Sequence, residues 1–205
     1  MKLRELCDIQ SGLWKGKKEP FTKAYVLRNT NFTASGRFDY SDVIELDVET
    51  KQLAKREVVK NDIILEKSGG GEKTPVGRVC IHDAEGHLPY SMSNFTARIR
   101  VLDEKVLDPI FLHTYLHALY LSGATEPMQR HSTNIRNLQL TEYKEIDVPL
   151  PPLLEQKGIV EKITKISERI DNALDLSRQK QAALNSLRLS TLSVEFRLGV
   201  LSERS

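Results

Sequence analysis

Four stretches of this chain hold residue types whose spacing suits chemistry or binding. Ser68-Gly-Gly-Gly-Glu-Lys-Thr74 follows a predicted strand and has the composition of a phosphate loop. Such a loop needs Gly directly before Lys-Ser/Thr and then a helix, so that backbone N–H groups cradle phosphate. Here Glu72 precedes Lys73 and Pro75 follows Thr74, so the pattern fails. Two readings remain open: an ordinary surface loop, or a loop whose glycines approach a nucleic-acid backbone while Lys73 and Arg78 supply charge. His113 and His117 stand four residues apart on a predicted helix, a metal-chelating spacing. No Glu follows His113 as in HExxH, and no third ligand is evident. They read as histidines on the polar face. Glu49-Thr-Lys51, with Asp42 or Asp47 upstream, gives the acid-x-Lys pair of metal-dependent nucleases. Such pairs are common by chance, and the adjoining Gln52-Leu-Ala-Lys55 reads as surface. The fourth stretch, Thr125–Arg136, gathers Arg130, His131, Ser132, Thr133, Asn134 and Arg136 around one acid. Arg pairs with guanine and Asn with adenine, and hydroxyls hold phosphate. A solvated loop accounts for the composition equally well.

Bulk properties narrow the classes. Only Cys7 and Cys80 are present, which excludes a disulfide framework and a Cys-rich zinc site. No apolar run approaches the roughly 20 residues needed to span a bilayer, and Met-Lys-Leu-Arg-Glu5 leads into no signal-peptide core. A cytoplasmic chain with reduced thiols and no membrane association is expected. No Gly-rich AdoMet loop and no Asn-Pro-Pro-aromatic motif occur, so methyl transfer by this chain is not expected. Residues 1–150 carry 21 Lys/Arg and 21 Asp/Glu, so charge total says nothing about nucleic acid. Its distribution says more. Between Ser11 and Arg37 lie Lys15, Lys17, Lys18, Lys23, Arg28 and Arg37 against Glu19 alone, whereas 38–50 is purely acidic. These blocks fit two faces of a polar fold, or a basic binding surface held apart from an acidic one.

The elements that position these residues follow from periodicity. Ala24–Arg28, Val43–Val48, Asp62–Leu65, Gly77–Ile81 and Phe95–Leu102 read as strands, two of them alternating with period two. Asp108-Pro109 opens a helix to about Ser122, with Ile110, Leu112, Tyr115, Leu116, Leu119 and Tyr120 as its buried stripe. Gly123–Arg136 reads as turn-like and Ile146–Leu150 as a last strand. Asp147-Val-Pro-Leu-Pro-Pro-Leu-Leu-Glu-Gln156 is then a rigid joint: its prolines fix φ and cannot continue a ladder, while Glu155 and Gln156 suit a helix's first turn. From Leu154 to about Leu192 one helix is predicted. Its four-three seam runs through Ile159, Ile163, Ile166, Ile170, Ala173, Ser177, Lys180, Leu184, Leu187, Thr191 and Val194. So narrow a seam suits helix-on-helix packing, with Ser177 and Lys180 setting register or merely loosening it. The fold class is therefore α+β: a strand-rich globular domain over 1–152, a coiled-coil helix over 153–195 and a tail over 196–205.

The run Ile146-Asp-Val-Pro-Leu-Pro-Pro-Leu-Leu-Glu-Gln-Lys-Gly-Ile-Val160 resembles the segment in which specificity subunits of type I restriction–modification systems pass from a target recognition domain into a spacer helix. Leu3–Ile9 with Gly12 resembles the family's opening strand, and Lys60-Asn-Asp-Ile-Ile-Leu65 its Lys-Gly-Asp-Ile-Leu strand, with Asn61 in place of Gly. Gly77-Arg78 and Ser132-x-Asn-Ile-x-x-Leu138 resemble the glycine turn and the polar loop that follow. The resemblance covers nearly the whole chain.

It implies a non-catalytic DNA-recognition subunit that reads one half of a bipartite double-stranded target, with no cofactor. A methyltransferase subunit, and a restriction subunit in complete systems, would supply the catalysis. Family members carry two recognition domains and two helices; this chain shows one of each and resembles a half-length form. Its seam would then pair antiparallel with a second copy or with another half subunit, through Ile159, Ile163, Ile166, Ile170, Leu184 and Leu187. Two-fold closure would set two half-sites at a spacing fixed by the helix. DNA contacts are expected from Lys15, Lys17, Lys18, Arg28, Lys67, Lys73 and Arg78 on phosphates, and from Arg130, Asn134 and Arg136 on base edges. The rival readings are a coiled-coil protein that binds no DNA, an autonomous nuclease, and an orphan half subunit that competes for the methyltransferase.

Overall fold

The computed structural model describes residues 1–13, 15–70, 74–132 and 135–202, with the backbone alone for 131, 132 and 194–202. The chain divides into two compact units, Met1–Val160 and a helical remainder from Glu161. It opens with α1 (Leu3–Leu6) and β1 (Cys7–Ser11). One opening strand was expected over this stretch. Instead the Glu5 carboxylate accepts the Lys2 N–H at 2.9 Å and closes a helical turn before the strand begins. There follow β2 (Phe21–Leu27), β3 (Ile44–Glu49), α2 (Thr50–Arg56), β4 (Ile63–Glu66), β5 (Ser68–Gly70), β6 (Val79–Ile81), β7 (Tyr90–Met92) and β8 (Thr96–Val101). The rest is α3 (Pro109–Leu121), β9 (Gln129–Ser132), β10 (Ile135–Leu138), α4 (Leu140–Tyr143) and α5 (Leu153–Ser202). The α+β class and the long C-terminal helix are as the sequence implied.

Three small sheets form among the described residues: β1-β8-β4-β6, β3-β2-β7 and β5-β10-β9. The first is antiparallel, and its strands β4 and β6 are buried on both faces. Period-two alternation explains how. Ile63 and Leu65 of β4, with Val79 and Ile81 of β6, enter the main core beneath α3. Ile64 and Cys80 point the other way, into a second cluster with Leu27, Phe32, Phe38, Val58 and Met92. On β8, Ala97 and Ile99 are fully buried, while Arg98 and Arg100 alternate with them and pair with Asp8 and Asp62 at 2.6 Å each.

Asp108 caps α3, accepting the N–H groups of Ile110 and Phe111 at 2.9 and 3.0 Å, with Pro109 at the first helical position. Of the expected stripe, Leu112 and Leu116 are buried and Tyr115 and Leu119 pack against the core, while Ile110 is exposed and Phe111 and His113 are buried in addition. Ile146–Leu150 is no strand. One bridge, Lys2 to Asp147, holds it, with Leu3 N–H on the Ile146 carbonyl and Val148 N–H on the Met1 carbonyl. Pro149 lacks an N–H, and α1 turns the partner segment away, so the ladder stops. At the joint, the fully buried Gln156 amide accepts the Asp108 N–H at 2.8 Å and donates to the Val106 and Pro151 carbonyls at 2.9 and 2.8 Å. It stitches the first turn of α5 to the α3 cap, a tertiary role where a helix-end role was expected. No helix among the described residues is long and apolar enough to cross a membrane.

Candidate nucleic-acid interface

The turn Ser93–Phe95, between β7 and β8, is where the basic elements meet. Gly12 N–H donates to the Thr96 carbonyl and Leu13 N–H to the Met92 carbonyl, which starts the lysine loop beside this turn. A side chain at Gly12 would strike the Ser93 carbonyl, so only glycine fits so close an approach. From the other side, the N–H groups of Lys67 and Ser68 both donate to the Phe95 carbonyl. Leu138 N–H then donates to the Lys67 carbonyl, bringing in β10 and its hairpin partner β9.

The lysine loop owes its shape to Glu49. This carboxylate accepts the N–H groups of Lys17 and Lys18 at 3.2 and 3.3 Å, and Glu49 N–H donates to the Lys15 carbonyl at 2.7 Å. Gly16, at φ +85°, packs directly on the Glu49 side chain. Lys15, Lys17 and Lys18 are left exposed and make no ion pair among the described residues; Lys15 lies over the Phe21 ring at 5.4 Å. Glu49 is thereby buried in a structural role, which removes the acid-x-Lys nuclease reading. Lys51 lies on α2, whose Leu53 is buried, so this stretch is not the plain surface expected of it.

Two expected phosphate contacts are tied up within the fold. Arg78 donates Nε and Nη2 to the Glu66 carboxylate at 2.8 Å each, reaches the Asn29 carbonyl at 3.2 Å and lies over the Phe32 ring. The buried Glu66 carboxylate beside it raises the Arg78 pKa. Arg28 pairs with Asp42 at 2.9 Å. Lys67 is half-buried and makes no ion pair among the described residues. Lys73 and Asn134 lie outside the described residues.

The stretch expected to be turn-like is a hairpin. Antiparallel pairing sets Asn137 opposite Arg130 and Arg136 opposite His131. Residues directly opposed share a face, so Arg130 lies on the Asn137 face and Arg136 on the other. The structure therefore does not bring Arg130 and Arg136 together. It does place Ser68, Asn137 and Arg130 in one row across β5-β10-β9, and the Ser68 hydroxyl donates to Asn137 Oδ1 at 2.6 Å. Sequence reading missed Asn137, because period-two polar strands carry no apolar signal.

Groups that could do chemistry are disarmed. Burial pushes the Cys7 and Cys80 thiols up to about 12, so neither is a nucleophile at neutral pH. His113 and His117 are not on a polar face. His113 is buried, the rings stack 5.8 Å apart, and both pack against Gly36 at φ +73°. Burial, with the His117 charge beside it, lowers the His113 pKa to about 4. No group of three or more His, Cys, Asp or Glu able to hold a metal occurs among the described residues. On α5, Ile163, Ile166, Ile170, Leu184 and Leu187 are exposed, whereas Ile159 packs against the main core of the first unit.

Comparison with known proteins gives this arrangement a family. Residues 1–186 match the model for the type I restriction modification DNA specificity domain. The chain is 29% identical over 170 residues to the type I restriction enzyme EcoKI specificity subunit of Escherichia coli K12, covering 81% of this chain and 34% of that protein. It is 22% identical over 208 residues to the putative MjaX specificity subunit of Methanocaldococcus jannaschii, covering 99% and 47%. The chain thus spans between about a third and a half of these relatives. Among solved structures, a chain of a type I R-M system complex superposes with a TM-score of 0.67 at 19% identity, covering 91% of this chain and 42% of that one. The S subunit from M. genitalium does so at 0.54 and 20% identity, covering 84% and 39%. The fold is theirs, and the chain belongs to the family of type I restriction–modification DNA specificity domains.

Proposed function

We propose that Met1–Val160 recognises duplex DNA in a sequence-dependent manner, reading one half of a bipartite target, and that the chain is a non-catalytic subunit working beside a methyltransferase in the cytoplasm. The observation that carries this reading is the convergence at Ser93–Phe95. There an exposed lysine loop, Lys67 with no ion pair among the described residues, and the β9–β10 hairpin with Arg130 meet on a domain of this family. The division of labour is electrostatic. Lys15, Lys17 and Lys18 are exposed, so their ammonium groups can reach phosphates, which supplies affinity without sequence information. The hairpin face supplies base contacts. The exposed seam of α5 pairs antiparallel with a second helix, in the simplest case that of another copy, and so fixes the distance between half-sites.

Duplex binding measured against salt tests the reading. Each phosphate contact contributes about 0.9 to the slope of log K against log salt. Replacing Lys15, Lys17 and Lys18 together by Ala should flatten that slope by roughly 2 to 3 and weaken binding to all duplexes alike. Mapping methylated sites after mixing the chain with a partner methyltransferase should give bipartite sites. Salt-independent binding, or none, would leave a coiled-coil protein without a DNA role.

A further inference from the structure

A cleft of about 470 Å³ opens beside the β5-β10-β9 sheet. Lys67, Ser68, Asn94, Asn137, Gln139 and Thr141 supply its polar lining, and no carboxylate lines it among the described residues. Among the described residues Lys67 is its one cation, and it lacks the carboxylate that four arginines of the domain have. The buried or half-buried Arg28, Arg78, Arg98 and Arg100 each sit on a carboxylate. Lys67 has lost enough water for burial to lower its pKa, yet no anion meets its ammonium among the described residues. A desolvated cation without a partner is costly, and the cost is removed when a ligand brings an acceptor. The amides around it are equally open. Asn137 Oδ1 accepts from Ser68, which fixes that amide with its Nδ2 left to donate. The side chains of Asn94 and Gln139 make no hydrogen bond within the chain among the described residues.

One ammonium and three amides, with no acid and no second cation among the described residues of the cleft, suit the edge of a purine better than a phosphate. Lysine donates to guanine O6 and N7, and Asn or Gln pairs with adenine N6 and N7. A phosphate needs only hydrated charge, which the lysine loop already offers, and gains nothing from surrounding amides. Arg130, in the same row as Ser68 and Asn137, adds positive potential beside the cleft without filling it.

Resting on the DNA-recognition reading above, we propose that this cleft is a base-reading site in which Lys67 takes a guanine edge in the major groove and Gln139 takes the neighbouring base. Lys67 then determines specificity, because any base lacking O6 and N7 in place leaves the ammonium desolvated and unmatched. Asn137 is a positioning residue, held by Ser68.

The test uses the full chain. Duplexes bound by the wild type are selected from a random pool, and each guanine of the selected half-site is replaced in turn by 7-deazaguanine, which deletes N7 and leaves the phosphates intact. One guanine should matter: its replacement should raise Kd about tenfold for the wild type and leave Kd unchanged for Lys67→Met. That variant should accept other bases at this one position, and Gln139→Ala should relax the adjoining one. If Lys67→Met instead weakens selected and random duplexes by the same factor, with a salt slope smaller by about one, Lys67 is a phosphate contact and the proposal fails while the DNA-recognition reading stands. If no 7-deazaguanine affects the unmodified protein, the proposal fails whatever the stability of the variants. A wild type that binds no duplex overturns both readings.

Discussion

Arg78 and Lys67 lie at the ends of neighbouring strands and show how burial decides what a charge can do. The Glu66 carboxylate is 2% exposed, and its partners are Arg78, through two bonds at 2.8 Å, and Asn29 Nδ2 at 3.1 Å. Removing the guanidinium leaves a buried carboxylate with one neutral donor, a change that typically costs about 3–5 kcal/mol. Arg78→Ala should therefore lower the urea midpoint strongly, whereas Lys17→Ala, on an exposed side chain, should shift stability by less than about 0.5 kcal/mol. The two together separate a folding arginine from a binding lysine. If Arg78→Ala folded normally and lost only DNA affinity, the ion pair would not have the role drawn here. His113 makes the second residue-scale case. Its folded pKa, about 4, lies below the ordinary histidine value of 6.5. Between those limits the unfolded chain takes up a proton that the folded chain refuses, so the stability is complete above pH 6.5 and lost as pH falls toward 4. The slope approaches 1.4 kcal/mol per pH unit, for a total of about 3 kcal/mol. Replacing His113 by Phe should flatten the pH dependence of urea unfolding in this window. An unchanged profile would show that other groups carry the acid lability.

At the scale of elements, what was legible in the sequence followed the apolar periods. The strands β2, β3, β4, β6 and β8 and the helix α3 with its Asp-Pro start bury apolar residues at the period of their geometry, the long α5 carries an apolar seam at helical period, and all were expected. What was illegible lacked that signal. The strands β5, β9 and β10 are short and polar, and their order comes from backbone pairing with one another and with the Lys67 segment. They compose most of the candidate interface, so the functional face was the less visible part. The helix α2 was hidden because only Leu53 of its seven residues is buried. Arg130 and Arg136 were expected to act together as loop neighbours, and only the register of the hairpin sends them to opposite faces. The lysine loop was visible as composition, but its shape was not, because Glu49, some 30 residues on, holds it. That tether makes a prediction. Two carboxylate bonds to Lys17 and Lys18 N–H suppress local opening. Glu49→Ala should speed trypsin cleavage after Lys15, Lys17 or Lys18 by roughly tenfold, since proteolysis tracks the open population. Equal cleavage rates would mean that the loop holds its shape by other means.

For the molecule as a whole, the decisive surface is the helical unit from Glu161 onward. Ile163, Ile166, Ile170, Leu174, Leu184, Leu187 and Leu192 are between 42% and 65% exposed, a run of large apolar side chains in water. Leu174 belongs to the same face as Ile163 and Ile170, four residues on from the latter, although the strict four-three seam passes through Ala173 instead. Burying such a face against a second helix stabilises by about 25 cal/mol per Å² of apolar surface covered, a driving force that polar surface would not supply. The interruption at Ser177 and Lys180 falls midway between Ile163 and Leu192. Were two identical helices to pair antiparallel, this midpoint would lie on the two-fold axis and meet itself, so that a polar centre would set register while the apolar arms supplied affinity. In such a dimer, Ile163→Asp with Ile170→Asp would place a buried charge in both arms at once, since symmetry doubles each change. Met1–Val160 has its own core, and Ile159, which packs on it, is untouched by these substitutions. The thermal transition of that unit should therefore persist while sedimentation shows a monomer. A dimer surviving both substitutions would mean that the chains associate through another surface, and the spacing between half-sites would then not be set by this helix.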